Sequence, residues 1–150
     1  LRLPSILWTD FALAEERRFM YNIPLRNRME ICHPEDMATA VLHAVKGFAR
    51  VEGETLIIAG GQEQQMHFED VLEAVFGVFG LPLPPRERFA NEPYPLHWYD
   101  TSRSQELLGY QMRGLEAYAR DFASGFPPGL VKVMRGLIGP AFGGVIVRMV

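Results

Sequence analysis

The chain has 150 residues, 48% of them hydrophobic and 22% charged, with a formal net charge of −3. That balance suits one compact folded domain and excludes both a disordered segment and the basic footprint of a nucleic-acid binder, so no nucleic-acid partner is expected. The single cysteine, Cys32, cannot close an internal disulfide and sits in an apolar stretch, which points to a small buried hydrophobe in a cytoplasmic protein.

In chain order, Leu1 to Leu7 is apolar and is bounded by Thr9-Asp10, which predicts a strand with Pro4 at an edge, an end or a bulge. No basic region precedes this stretch, so it is not a signal peptide, and the chain reads as one entered midway. Phe11 to Phe19 predicts a short helix, broken by Tyr21-Asn22-Ile23-Pro24. Arg17, Arg18, Arg26 and Arg28 cluster around the break. They are either a solvated cationic face or a clamp for a phosphate or carboxylate, groups that arginine reads bidentately. Met29, Ile31 and Cys32 predict a strand. His33-Pro34-Glu35-Asp36 then predicts a helix start, with Pro where a missing N–H costs nothing and two carboxylates at the favourable end of the helix dipole. Met37, Val41, Ala44, Val45 and Phe48 follow at helical spacing and predict an apolar stripe lying on the core.

Thr55 to Ala59 is a continuous apolar run ended by Gly60-Gly61, which predicts a strand covered on both faces, as in a parallel sheet. Phe68 to Phe79 has the clearest helical periodicity in the chain and is closed by Gly80. Leu81 to Pro95 is proline-rich and predicts an extended connection. Ser102 and Gln105 have capping-box spacing for a short helix ending at Leu107-Leu108-Gly109. Leu115, Tyr118, Ala119 and Phe122 mark another amphipathic helix before Gly125-Phe126-Pro127-Pro128. The expected architecture is α/β, with a small, mainly parallel sheet and amphipathic helices, over residues 1–122. Residues 123–150 form an apolar, glycine-rich basic tail, which suits packing on the body or on a partner chain better than contact with a membrane surface.

Catalytic and metal signatures are sparse. His33 and Asp36 lie on one side of a helix start, where they serve as a metal or proton pair less well than as the start itself, and His43, His67 and His97 have no ligand spacing. No Gly-x-Ser-x-Gly elbow occurs. The stretch Gly136 to Gly143 fails the dinucleotide-binding pattern by one residue and has Pro140 in the turn.

Several segments together resemble the extended short-chain dehydrogenases/reductases, the NAD-dependent epimerase/dehydratase family. HPEDMA at His33 to Ala38 is similar to its His-x-x-Asp-x-Ala corner, and LIIAGG at Leu56 to Gly61 to its strand ending in Gly-Gly. VFGVFGL is similar to its helix ending in Leu-Gly. Asp100, Ser102, Arg103, Leu108, Gly109 and Tyr110 match its Asp-x-Ser-(Lys/Arg)…Leu-Gly-(Tyr/Trp) segment. LRLPSILW resembles its late strand, with Leu7-Trp8 in place of Tyr-Gly.

The resemblance spans Leu1 to about Phe122 and implies a partial Rossmann-like C-terminal region that binds a small-molecule substrate such as a nucleotide sugar. NAD or NADP would serve the full-length parent, with no tight cofactor binding by this chain alone. The family's Gly-x-x-Gly-x-x-Gly turn and Tyr-x-x-x-Lys pair are absent from these residues, which implies no catalysis by this chain alone. Tyr99 to Arg103 has the spacing of the pair, but arginine stays protonated and does not replace the lysine. The resemblance further implies Pro4 and Ser5 beside the cofactor and Trp8, Arg26 and Arg28 near the substrate, whereas a plain strand end accounts equally for Pro4 and Ser5. Uncovered apolar faces and open strand edges predict a homo-oligomer, formed through the edge near Leu1 to Leu7 or through the tail.

Overall fold

The computed structural model describes residues 1–3, 19–133 and 135–136. The first element lying wholly within these residues is β1 (Arg28–Glu30), across which side chains alternate. Met29, with Ile31 just beyond the strand, enters a core cluster with Phe68, Val71, Leu72 and Phe89. Arg28 and Glu30 share the opposite face.

Helix α1 (Pro34–Lys46) starts as its sequence dictates. Pro34 occupies the first turn, and His33 is the N-cap, its Nδ1 accepting the Glu35 N–H at 3.2 Å. A short α2 (Phe48–Val51) follows Gly47. The stripe expected on the core is only half there. Ala40 is fully buried and Met37 and Ala44 pack against a second cluster of Cys32, Leu56, Ile58, Leu108 and Tyr110. Val41, Leu42, Val45 and Phe48 instead face solvent, with Val45 70% exposed.

Strand β2 (Gln65–His67) pairs with β1 antiparallel, with Arg28 opposite His67 and Glu30 opposite Gln65. Helix α3 (Phe68–Val78) follows directly and buries Phe68, Val71 and Leu72, each contributing about 1.5–3 kcal/mol. It ends as predicted at Gly80, whose φ of 68° lets Leu81 donate to the Phe76 carbonyl at 3.1 Å, the closing bond of a Schellman turn. The proline-rich connection carries only a 3-10 turn at Arg86–Arg88 and adds Phe89 to the first core. Helices α4 (Ser102–Leu108), α5 (Leu115–Ser124) and α6 (Pro128–Val133) complete the described chain, and α5 packs on α3.

These elements correct the expected fold class. The described residues are predominantly helical with one two-stranded antiparallel sheet, so they do not form a mainly parallel, Rossmann-like sheet. Leu56, Ile58 and Ala59 of the apolar run are indeed buried, and among the described residues α1 and α4 supply the cover. The run's ladder contact among the described residues is a parallel bridge between Arg2 and Ile57, in which Arg2 donates to Leu56 O at 2.8 Å and accepts the Ile58 N–H at 2.9 Å. A short apolar run reports burial, and its period does not distinguish what buries it. The capping-box reading of α4 is also corrected. Thr101 is the N-cap, Asp100 accepts the Ser102 N–H at 3.0 Å, and Gln105 turns towards the loop after the helix. The predicted strand at Leu1 to Leu7 and the helix at Phe11 to Phe19 lie almost wholly outside the described residues. No described helix is long and apolar enough to cross a membrane.

Candidate anion-binding site

The face of β1 that carries Arg28 and Glu30 is organised by a buried carboxylate. Glu30 is 2% exposed. Its Oε1 accepts the Gly61 N–H at 2.9 Å, and its Oε2 accepts the Tyr99 N–H at 2.8 Å and the Gln65 side-chain amide at 3.0 Å. No cation neutralises it among the described residues; three donors hold it, as a buried carboxylate requires. This one side chain therefore fixes the turn after residue 60, strand β2 and the 97–99 loop relative to β1.

The 97–99 loop lies against Arg28. Trp98 is anchored by its indole N–H, which donates to Met66 O at 3.1 Å, and the Arg28 guanidinium lies over its ring, 4.7 Å from the centroid. Arg28 donates through Nη1 to Nε2 of His97 at 3.1 Å. Because a guanidinium only donates, His97 must accept there as a neutral imidazole, with its proton on Nδ1, 3.3 Å from Trp98 O. His67, opposite Arg28 in the ladder, places its ring edge-on to Trp98 at 6.2 Å.

Arg28 has no carboxylate partner among the described residues, in contrast to Arg86, paired with Glu69, and to Arg103, which bridges Glu54 and Glu106. It is held in place by an aromatic face and a neutral ring while its charge stays available. Such an arrangement suits the capture of a phosphate or carboxylate.

The His33-to-Asp36 corner forms a separate joint. Asp36, 2% exposed, accepts the N–H groups of Met112 and Arg113, both at 2.8 Å, and the Arg113 guanidinium at 2.7 Å. Glu35 takes the other guanidinium nitrogen, and His33 Nε2 reaches Asp121 on α5 at 3.1 Å. His33 and Asp36 thus share no partner, and among the described residues no group of three or more His, Cys, Asp or Glu is placed to hold a metal. Cys32 lies between the two carboxylate nodes. Burial pushes its thiol up to about 12, with Asp36 and Glu30 adding to the shift, so it is no nucleophile at neutral pH.

No protein-family model matches the chain, and no curated protein and no solved structure is significantly similar to it. The site is accordingly read from its own geometry. Of the residues singled out in the sequence, Arg28 stands at the centre of the site. Arg26 is exposed two residues earlier and makes no side-chain hydrogen bond or ion pair among the described residues. Pro4, Ser5 and Trp8 lie outside the described residues. Sequence reasoning missed Glu30, His97 and Trp98. Glu30 carried one signal, a carboxylate on the Arg28 face of an otherwise apolar strand, whereas His97 and Trp98 come from about 70 residues away and carried none.

Proposed function

We propose that this chain is the substrate-binding part of an NAD(P)-dependent epimerase, dehydratase or reductase, in which Arg28 receives the anionic portion of a small-molecule substrate such as a nucleotide sugar. The observation that carries this reading is an arginine positioned without being neutralised: Arg28 is fixed by Trp98 and His97 and meets no described carboxylate. The segments behind the family resemblance also support it, because they interlock. The His33 corner starts α1, Gly61 hangs on Glu30, and Ser104 and Tyr110 grip residues 57–59 through Ile57 O at 2.6 Å and Ala59 O at 2.7 Å. Fold-level kinship does not set chemistry, so the proposal rests on the site.

The chain's own role in this reading is binding, since its residues include neither the glycine turn nor the Tyr-x-x-x-Lys pair. NAD or NADP belongs to the parent enzyme, where Pro4 and Ser5 would flank the cofactor and Trp8 and Arg26 would approach the substrate. A free, buried thiol at Cys32 suits a cytoplasmic setting. Calorimetric titration with UDP-glucose tests the proposal. The expected result is saturable binding with Kd of about 0.1–1 mM, weakened at least tenfold in Arg28→Met while the circular dichroism spectrum is unchanged. Equal binding by the variant, or no saturable heat at all, refutes it.

One observation favours a second reading, a non-enzymatic module that associates through an apolar surface. Val41, Leu42, Val45 and Phe48 are all exposed along α1 and α2, as are Leu1 and Leu3. Under either reading we propose a homo-oligomer, with this helix face as a contact alongside the chain start.

A further inference from the structure

Between the turn at residues 60–64 and the stretch from 105 to 114 lies a cleft of about 420 Å³. Four glutamines line it; Gln62 is exposed, and Gln64, Gln105 and Gln111 are each tied to the protein by one end of the carboxamide. Gln64 Oε1 accepts the Leu115 N–H at 2.9 Å, and Gln105 Oε1 accepts the N–H groups of Tyr110 and Gln111, both at 3.0 Å. Gln111 is tied by its nitrogen, which donates to Ala59 O at 3.0 Å and to Thr101 Oγ1 at 2.9 Å. Atoms that accept a backbone N–H must be oxygens, so these bonds fix which way each amide points. The free ends are then two donors, Nε2 of Gln64 and of Gln105, and one acceptor, Oε1 of Gln111. None of the three has a hydrogen-bond partner among the described residues.

The glycines of the cleft wall belong to the same construction. A Cβ at Gly61 would come 2.5 Å from Gln111 Oε1, and one at Gly114 would come 2.8 Å from Gln64 Nε2. Bare Cα atoms at both places let the amides lie flat on the wall. The charge of the cleft is already spent or peripheral: Arg113 is engaged by Asp36 and Glu35, and Glu63 is exposed at the rim. An anion therefore finds no uncompensated cation there. Met112, 64% exposed, adds an apolar surface at the edge.

We infer that this cleft binds a neutral, hydroxyl-rich ligand, of the size and chemistry of a single sugar ring. Each hydroxyl both donates and accepts, so one ring engages the two NH2 groups and the carbonyl oxygen together, and its C–H face lies on Met112. Arg28 takes no part in this site, and its ability to bind anions is tested separately.

The test is an NMR titration of the full chain with methyl glucopyranoside, following the side-chain amides of Gln64 and Gln105 and the backbone amides of Gly60, Gly61 and Gly114. Saturable shifts confined to these signals, in the millimolar range, are expected. Gln64→Glu and Gln105→Glu keep the anchoring oxygen and exchange the donor for an acceptor, so each should weaken binding at least about tenfold with an unchanged unfolding midpoint. On the wild-type chain, which needs no variant to fold, inorganic phosphate and N-acetylglycinamide should leave the same signals unmoved. The inference is overturned by any one of four results: no saturable shift at about 100 mM sugar, shifts centred elsewhere, equal affinity in both variants, or equal response to phosphate or to the blocked amide.

Discussion

Replacing Glu30 by Gln changes one atom at the point where β1, β2, the turn after residue 60 and the 97–99 loop meet. A glutamine can keep its oxygen towards the Tyr99 N–H and the Gln65 amide, but its NH2 group then faces the Gly61 N–H, donor against donor, in a position 2% exposed. Each hydrogen bond to a charged group contributes about 1.5–3 kcal/mol, and a stranded buried N–H costs about 1–3 kcal/mol. The expected loss is about 3 kcal/mol, a large share of the roughly 5–15 kcal/mol that holds a domain folded. At this chain length it lowers the Tm by about 6–12 °C. Urea unfolding measures it as a lower midpoint at unchanged slope. Glu63→Gln, at an exposed position without a described partner, serves as the control and should stay within about 0.5 kcal/mol of the wild type. If Glu30→Gln is as stable as that control, the carboxylate does not organise this face and the account of the site fails.

A methyl group at Gly60 would meet Ile31 O at 1.8 Å and Gln64 Cβ at 2.6 Å, so Gly60→Ala should lose more than about 3 kcal/mol in the same unfolding assay, whereas Gly53→Ala is strained only by its own φ. Stability should also fall at alkaline pH. The Cys32 thiol has its native value raised from 9.0 to about 12 and Tyr118 has its value raised from 10.0 to about 12. Above pH 9 the unfolded chain ionises Cys32 while the native chain does not, so this contribution is complete below pH 9 and is lost as pH rises towards 12. Cys32→Ala should delay the onset of the decline to the tyrosine range, and native Cys32 should resist thiol reagents at pH 8 until urea is added. In sedimentation equilibrium at micromolar concentration the chain should self-associate, and Val45→Glu with Phe48→Ser should shift it towards monomer; a monomeric wild type removes the proposed contact.

Local signals in this chain are legible, and long-range ones are not. Pro34, Glu35 and Asp36 announce the start of α1, and Gly80 announces the end of α3, because each acts on its own turn of backbone. The apolar period of α1 is equally plain, yet it does not say which sector of the helix meets the core. The core takes Ala40 with Met37 and Ala44, and leaves Val41 and Val45 in solvent. The run at 56–59 announces burial correctly, while among the described residues its parallel pairing is limited to the bridge with Arg2, and α1 and α4 supply the cover. Asp36 shows how a local rule is overtaken: a carboxylate in a first helical turn already has a sufficient reason to be there, and its contacts with Met112 and Arg113, more than 70 residues away, leave no trace in the pattern. Arg28 was legible as a cation near a break. Its selection over Arg26 comes from Trp98 and His97, which only the folded chain brings to it.

Arg28, backed by Trp98, is proposed as a prepared receptor for an anion. NMR resonances of the Arg28 Nε–H and the Trp98 indole N–H, followed during titration with inorganic pyrophosphate, test it most directly. Both are expected to shift along one saturation curve, with the Arg26 signal moving less and the binding weakening as salt is raised. Shifts spread evenly over Arg26, Arg50 and the other exposed arginines, with Trp98 unmoved, would contradict it.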